Sequence, residues 1–182
     1  MTAEGPAVVI GVGNILLGDD GVGVRAVEAL RSEVEREPST LPAATRLVDG
    51  GTLGVDLLDE LEGARSLLLI DAVDLGQPAG TVSVLRGDAI LDAAGTGGSR
   101  GPGGVPELLV AAGLTGWLPR QVALVGVQVD DTDPGTDLSR RVEAALPRAV
   151  EAARDVLREQ DALAVPPEPL QVGRRQAGEM SA

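Results

Sequence analysis

The sequence has no cysteine, histidine, lysine, phenylalanine or tyrosine, and a single tryptophan. Without His or Cys there can be no Ser-His-Asp or Cys-His nucleophilic unit, no Cys/His zinc site and no imidazole general base; without Lys there is no Schiff base. Carboxylates, hydroxyls, amides, Arg and backbone groups remain for any chemistry. Long hydrophobic runs are missing too. The stretch Val122 to Val127, VALVGV, falls far short of the roughly 18 residues that span a bilayer, so no transmembrane helix is expected. The start, MTAEGPAVVIGVGN, carries an acid where a signal peptide needs positive charge. Together with the lack of Cys, this reads as a cytoplasmic protein.

Positive charge is also scarce. The 28 acids face 15 basic residues, all of them Arg, for a net charge of −13. Such a surface repels nucleic acid and anionic membrane, and neither is expected as a partner. What is plentiful is aliphatic: 43% of the 182 residues are hydrophobic, enough for one core of Leu, Val, Ala and Ile. Residues 1–165 read as a single α/β domain, and 166–182 as a disordered C-terminal tail.

Apolar runs alternate with helical patterns along the chain. Ala7 to Val12 reads as a buried strand stopped by Gly13. Val24, Val27, Leu30 and Val34 then recur at helical spacing among Arg and Glu, after the acidic start Asp19-Asp20. Thr45 to Val48 reads as a strand, Val55 to Leu61 as a short helix, and Ser66 to Ala72 as a third strand. Continuous apolar character in LLLI and VALVGV points to strands covered on both faces, as in a mainly parallel sheet with helices above and below. TVSVLR alternates instead and reads as an edge strand that could run antiparallel. Ala94 to Gly104 reads as a Gly-rich loop, Val105 to Leu114 as a short helix, and Gln121 to Val129 as the last central strand. Leu138 to Gln160 reads as a long helix, capped by Thr136 or Asp137 and kinked or split by Pro147.

Between the first strand and the first helix lies GVGNILLGDDGVG, Gly11 to Gly23. It contains Asn14, the one Asn in the chain, which suggests that its site needs an amide. In open α/β sheets ligands bind at the carboxyl ends of the strands. One reading of this loop is a turn whose two Asp cap a helix. A dinucleotide fingerprint, and with it a nucleotide-dependent oxidoreductase, is disfavoured: Leu16 replaces the third Gly, and two carboxylates at the helix start would repel phosphate.

This motif, followed by VRAVEAL, VDGGT, LLLIDAVD, PAGTVSVLR and TGWLPRQVALVGVQ, resembles the hydrogenase maturation proteases over roughly residues 7 to 160. These endopeptidases trim the C-terminus of the nickel-iron hydrogenase large subunit. The resemblance implies a three-layer α/β sandwich around a five-stranded, twisted, mostly parallel sheet. It also implies a metal site made of an acid in the first loop, here Asp20, an Asp after the third strand, here Asp71, and a His in a later loop. That His would fall near Gly101, and the chain has none. Asn14 and Asp49, the latter in the family's DGGT turn, become candidates for substrate binding. So does Arg100, which beside Ser99 and Glu107 stands where a substitute contact for the His would have to come from. The alternative for that loop is no role at all.

The implied function is removal of the C-terminal extension of a nickel-loaded large-subunit precursor, with Asp20 and Asp71 catalytic and the nickel supplied by the substrate. Hydrolysis could be metal-assisted or purely carboxylate-driven, as in a pair that shares one proton. A non-catalytic binding or checkpoint protein of the same fold is the main alternative, because the His is missing. A monomer that meets its precursor transiently is expected. Trp117 is either an exposed anchor for a partner or a packing residue.

Overall fold

The computed structural model describes residues 5–94, 104–130 and 132–163. The Gly-rich loop with Ser99, Arg100 and Gly101, and the tail after Pro166, lie outside the described residues. Five strands form one sheet: β1 (Ala7–Val12), β2 (Thr45–Gly51), β3 (Ser66–Val73), β4 (Val82–Arg86) and β5 (Gln121–Gln128), in the order β2-β1-β3-β5-β4. All neighbours are parallel except β4, which pairs antiparallel with β5 at the edge. The alternating pattern of TVSVLR has this cause: β1 and β3 are buried at every position, whereas no residue of β4 is fully buried.

Helices cover both faces. α1 (Val22–Arg36) and α4 (Arg140–Ala162) pack their apolar stripes on Val9, Leu68, Ile70, Val125 and Val127. The opposite face, with Val8, Ile10, Leu67, Leu69 and Leu124, is covered by a 3-10 segment (Gly54–Leu61), α2 (Asp88–Ala94) and α3 (Val105–Thr115). This is the three-layer sandwich expected. Each fully buried Leu or Ile contributes about 1.5–3 kcal/mol, so a core without Phe or Tyr is filled by number rather than by size.

Two local expectations are corrected. α4 is continuous from Arg140 to Ala162, not split at Pro147. The proline and Glu143, whose carbonyl loses its partner, both lie on the exposed face, so water can take over the freed group. The cap of α4 is Ser139, not Thr136 or Asp137; its Oγ accepts from the Val142 N–H at 3.5 Å. α2 carried no periodic signal strong enough to be read from its seven residues.

Candidate functional site

The strand order reverses between β1 and β3: the chain leaves β1 to build β2 on one side, then returns to build β3 on the other. The crevice above their carboxyl ends is the switch point of the sheet, where the two strands' continuations part. β1 and β3 pair from Ala7 opposite Ser66 to Gly11 opposite Ile70. Asp71 is therefore the first residue of β3 beyond its β1 partner, at the place where β1 turns off into the loop that carries Asp20. The start of α1 closes in on the same point, since a Cβ on Gly23 would sit 2.2 Å from the Ile70 carbonyl oxygen and 2.4 Å from that of Val12.

The loop itself is folded around its backbone. Gly13, at φ +130°, lies so near the Asp20 carbonyl oxygen that an added Cβ would be 1.8 Å away. Asn14 donates its N–H to Asp20 Oδ2 at 2.7 Å and, through its Oδ1, accepts from Leu16 N–H at 2.9 Å. Neither acid caps α1, contrary to the capping reading. The N-cap is Gly21, no side chain bonds to it, and Asp20 reaches backward into its own loop. Asp20 is only 4% exposed, and its Oδ1 has no hydrogen-bond partner among the described residues. Burial raises its pKa above the usual carboxylate value, while the Asn14 N–H pulls in the other direction.

Asp71 is 1% exposed, and its Oδ1 accepts from the Ala72 N–H at 2.8 Å. A second buried carboxylate thus stands at the edge that carries Asp20. Asp49 is exposed and accepts from Gly51 N–H, closing an Asx turn whose Gly51 carbonyl in turn accepts from Gly13 N–H at 2.9 Å. The DGGT turn is thereby tied to the Gly13 loop. Glu107 is exposed in the first turn of α3. α3 ends before β5 begins at the opposite edge, so that first turn lies toward the edge of Asp20 and Asp71. Trp117 is half-buried against the second core, which favours packing.

The roles of two residues at this edge, Asp19 and Gln128, escaped the reading of the sequence. Asp19 accepts from Ser139 and from the Asp130 N–H. Gln128 accepts from Leu75 N–H and Gln77 N–H and donates to Asp74, ordering the chain after β3. Their partners lie far away in the chain, so no local signal could have found them.

The model of one protein family, Hydrogenase maturation protease, matches residues 24–156. The hydrogenase expression/formation protein HoxM of Cupriavidus necator is 38% identical over 161 residues, 87% of this chain and 77% of its own length. The hydrogenase 2 maturation protease of Escherichia coli K12 is 35% identical over 88% of this chain and 95% of its own. Among solved structures, the hydrogenase maturating endopeptidase HybD from E. coli superposes with a TM-score of 0.71 at 33% identity, covering 85% of this chain and 93% of that one.

The chain belongs to the hydrogenase maturation protease family. It is accordingly a peptidase of hydrogenase maturation, on the fold expected. The family match contains Asp71 and begins just after the loop of Asp20.

The metal implied by the family is nickel. The unpartnered Asp20 Oδ1 would suit a cation, yet among the described residues no three Asp, Glu, His or Cys side chains converge. Nickel favours imidazole and thiolate, and this chain has neither. Its own side chains do not fit a resident nickel site.

Proposed function

We propose that Asp20 and Asp71 are the carboxylates with which this maturation protease removes the C-terminal extension of a nickel-loaded nickel-iron hydrogenase large-subunit precursor, acting as a monomer in the cytoplasm. The reading rests above all on Asp20 Oδ1, a buried carboxylate oxygen with no partner among the described residues, in the loop that leaves β1 where Asp71 follows the last β1–β3 pair. Leaving a buried acceptor unpaired costs about 1–3 kcal/mol, and such an atom is a natural contact for substrate. No helix of the described residues is long and apolar enough to cross a membrane. Nickel arrives as part of the substrate, with the precursor's own ligands, and marks which chain is ready to be cut.

In this mechanism the two acids divide the work. Burial favours the protonated form of Asp20. Asp20 Oδ2 is engaged as an acceptor, so the proton belongs on Oδ1, from which it donates to the scissile carbonyl oxygen. Asp71 takes a proton from the attacking water, whose oxygen bonds to the carbonyl carbon. The proton on Asp71 then passes to the departing amine as the C–N bond breaks, a hydroxyl of the tetrahedral intermediate returns its proton to Asp20 as the C=O bond re-forms, and both carboxyls are back in their starting states. Asn14 and Asp49 shape the loops against which the precursor's chain would lie, and Arg100 would meet a precursor carboxylate or carbonyl.

Intact mass spectrometry of nickel-loaded precursor, incubated with wild type, Asp20→Asn and Asp71→Asn, tests the assignment. Loss of a C-terminal peptide with wild type alone is the expected result. Wild-type rates from either variant would refute it. The lack of any His favours one rival, a non-catalytic checkpoint protein of the same fold. A stable complex without cleavage would establish that rival instead.

A further inference from the structure

The two adjacent acids of the loop have different fates. They lie in a 3-10 turn (Gly18–Gly21), where 3.0 residues per turn send successive side chains about 120° apart, so Asp19 and Asp20 point away from one another. Asp20 keeps one oxygen without a partner among the described residues. Asp19 is fully buried and has both oxygens engaged. Its Oδ1 accepts from Ser139 N–H at 2.7 Å, and its Oδ2 accepts from Asp130 N–H and from Ser139 Oγ–H, each at 2.9 Å.

Those donors belong to two other elements: Asp130 follows β5, and Ser139 caps α4. Two further bonds run alongside, from Gly18 N–H to the Gly135 carbonyl at 2.8 Å and from Gly135 N–H to the Leu16 carbonyl at 2.9 Å. The loop is thus fastened on the side away from Asn14, while Asn14 holds Asp20 Oδ2 from the other. Bonds from N–H and O–H groups to an ionised carboxylate are about twice as strong as neutral ones, and these are buried.

We propose that Asp19 is a positioning residue: by clamping the loop to β5 and α4 it fixes the direction in which Asp20 presents Oδ1. This rests on the reading of Asp20 as catalytic. Asp19 does no chemistry itself, since its oxygens are spent on the clamp. An amide cannot replace it, because the NH2 group of Asn would face one of the N–H donors instead of accepting from it.

The test is steady-state cleavage of nickel-loaded precursor by full-length wild type, Asp19→Asn and Asp20→Asn, together with amide hydrogen exchange of the free proteins by NMR. For Asp19→Asn, kcat is expected to fall roughly tenfold to a hundredfold with KM changed less than about twofold, the signature of lost alignment rather than lost binding. Exchange at the Asn14 amide is expected to quicken about tenfold or more while Val8, Val9 and Ile10 in β1 keep their protection. Wild-type kcat, or equal loss of protection in β1 and in the loop, would overturn the proposal. An active Asp20→Asn enzyme would overturn the reading of Asp20 and the proposal with it. An inactive Asp20→Asn beside a fully active Asp19→Asn overturns the positioning role alone. If Asp19→Asn does not fold, Ser139→Ala removes one bond to Asp19 and Ser139→Thr keeps the hydroxyl. A severalfold lower kcat at unchanged KM in the first, restored in the second, is expected, and wild-type kcat in Ser139→Ala refutes the clamp.

Discussion

Replacing Gly13 by Ala tests whether the backbone of the first loop, and not only its acids, builds the site. A Cβ there would lie 1.8 Å from the Asp20 carbonyl oxygen, against an ordinary contact of at least 3.4 Å. The obstacle is backbone, which has no rotamer to change, so the carbonyl must retreat by about 1.5 Å. The backbone at φ +130° is itself strained for any residue with a Cβ, at about 1–3 kcal/mol. Moving Asp20 also loosens the bond from the Asn14 N–H, and a part-buried donor left unpaired costs about 1–3 kcal/mol. The expected destabilisation is therefore about 3–5 kcal/mol, or a Tm lowered by roughly 10 °C in a chain of this size. Gly51→Ala is the control. Its φ of +46° is strained too, but the added Cβ would meet nothing nearer than 3.9 Å, so only about 1 kcal/mol is expected. Urea unfolding of both variants gives the comparison, and precursor cleavage by Gly13→Ala at 20 °C or below should be about a hundredfold slower. Equal stability losses for the two glycines, or an unimpaired kcat for Gly13→Ala, would refute the reasoning.

Burial raises the pKa of Asp20 in the folded state, so the unfolded chain releases its proton first as pH rises; the contribution of this group to stability is full below the ordinary value of 3.8 and is lost as pH climbs through the folded value. Asp20→Asn escapes that loss. Its stability relative to wild type, from urea unfolding at a series of pH values, should therefore increase from acid toward neutral pH, and a flat or falling difference would contradict the burial argument. Pro147→Ala should stabilise the protein by about 1–3 kcal/mol, since it restores a helical bond on the exposed side of α4; no gain in thermal unfolding would mean that the proline carries no such cost. Leu69→Ala, at a fully buried position of β3 facing α3, should cost about 2–5 kcal/mol in the same assay.

The layers of this protein were legible because burial writes a local pattern. LLLI and VALVGV are buried on both sides and read as continuous runs, TVSVLR is an edge and alternates, and α1 shows the stripe that faces the sheet. The loop of the first strand was legible as chemistry because its glycines, single Asn and doubled Asp stand together in the chain. Resemblance, and not spacing, separated Asp20 from Asp19. α2 and Ser139 were missed for opposite reasons: the helix is too short to show a period, and the cap is one of several polar residues in a row, chosen by its contact with Asp19.

By itself, then, the sequence determined the kinds of element, their order, and the limitation of the chemistry to carboxylates, since each follows from residue types and neighbours along the chain. The tertiary structure alone decided what the carboxylates do. Asp19 meets Asp130 and Ser139 across 111 and 120 positions, and Asp71 comes to the loop of Asp20 only because β3 is laid beside β1. Which oxygen is spent on a hydrogen bond and which is left over depends on partners that only the folded sheet brings within reach.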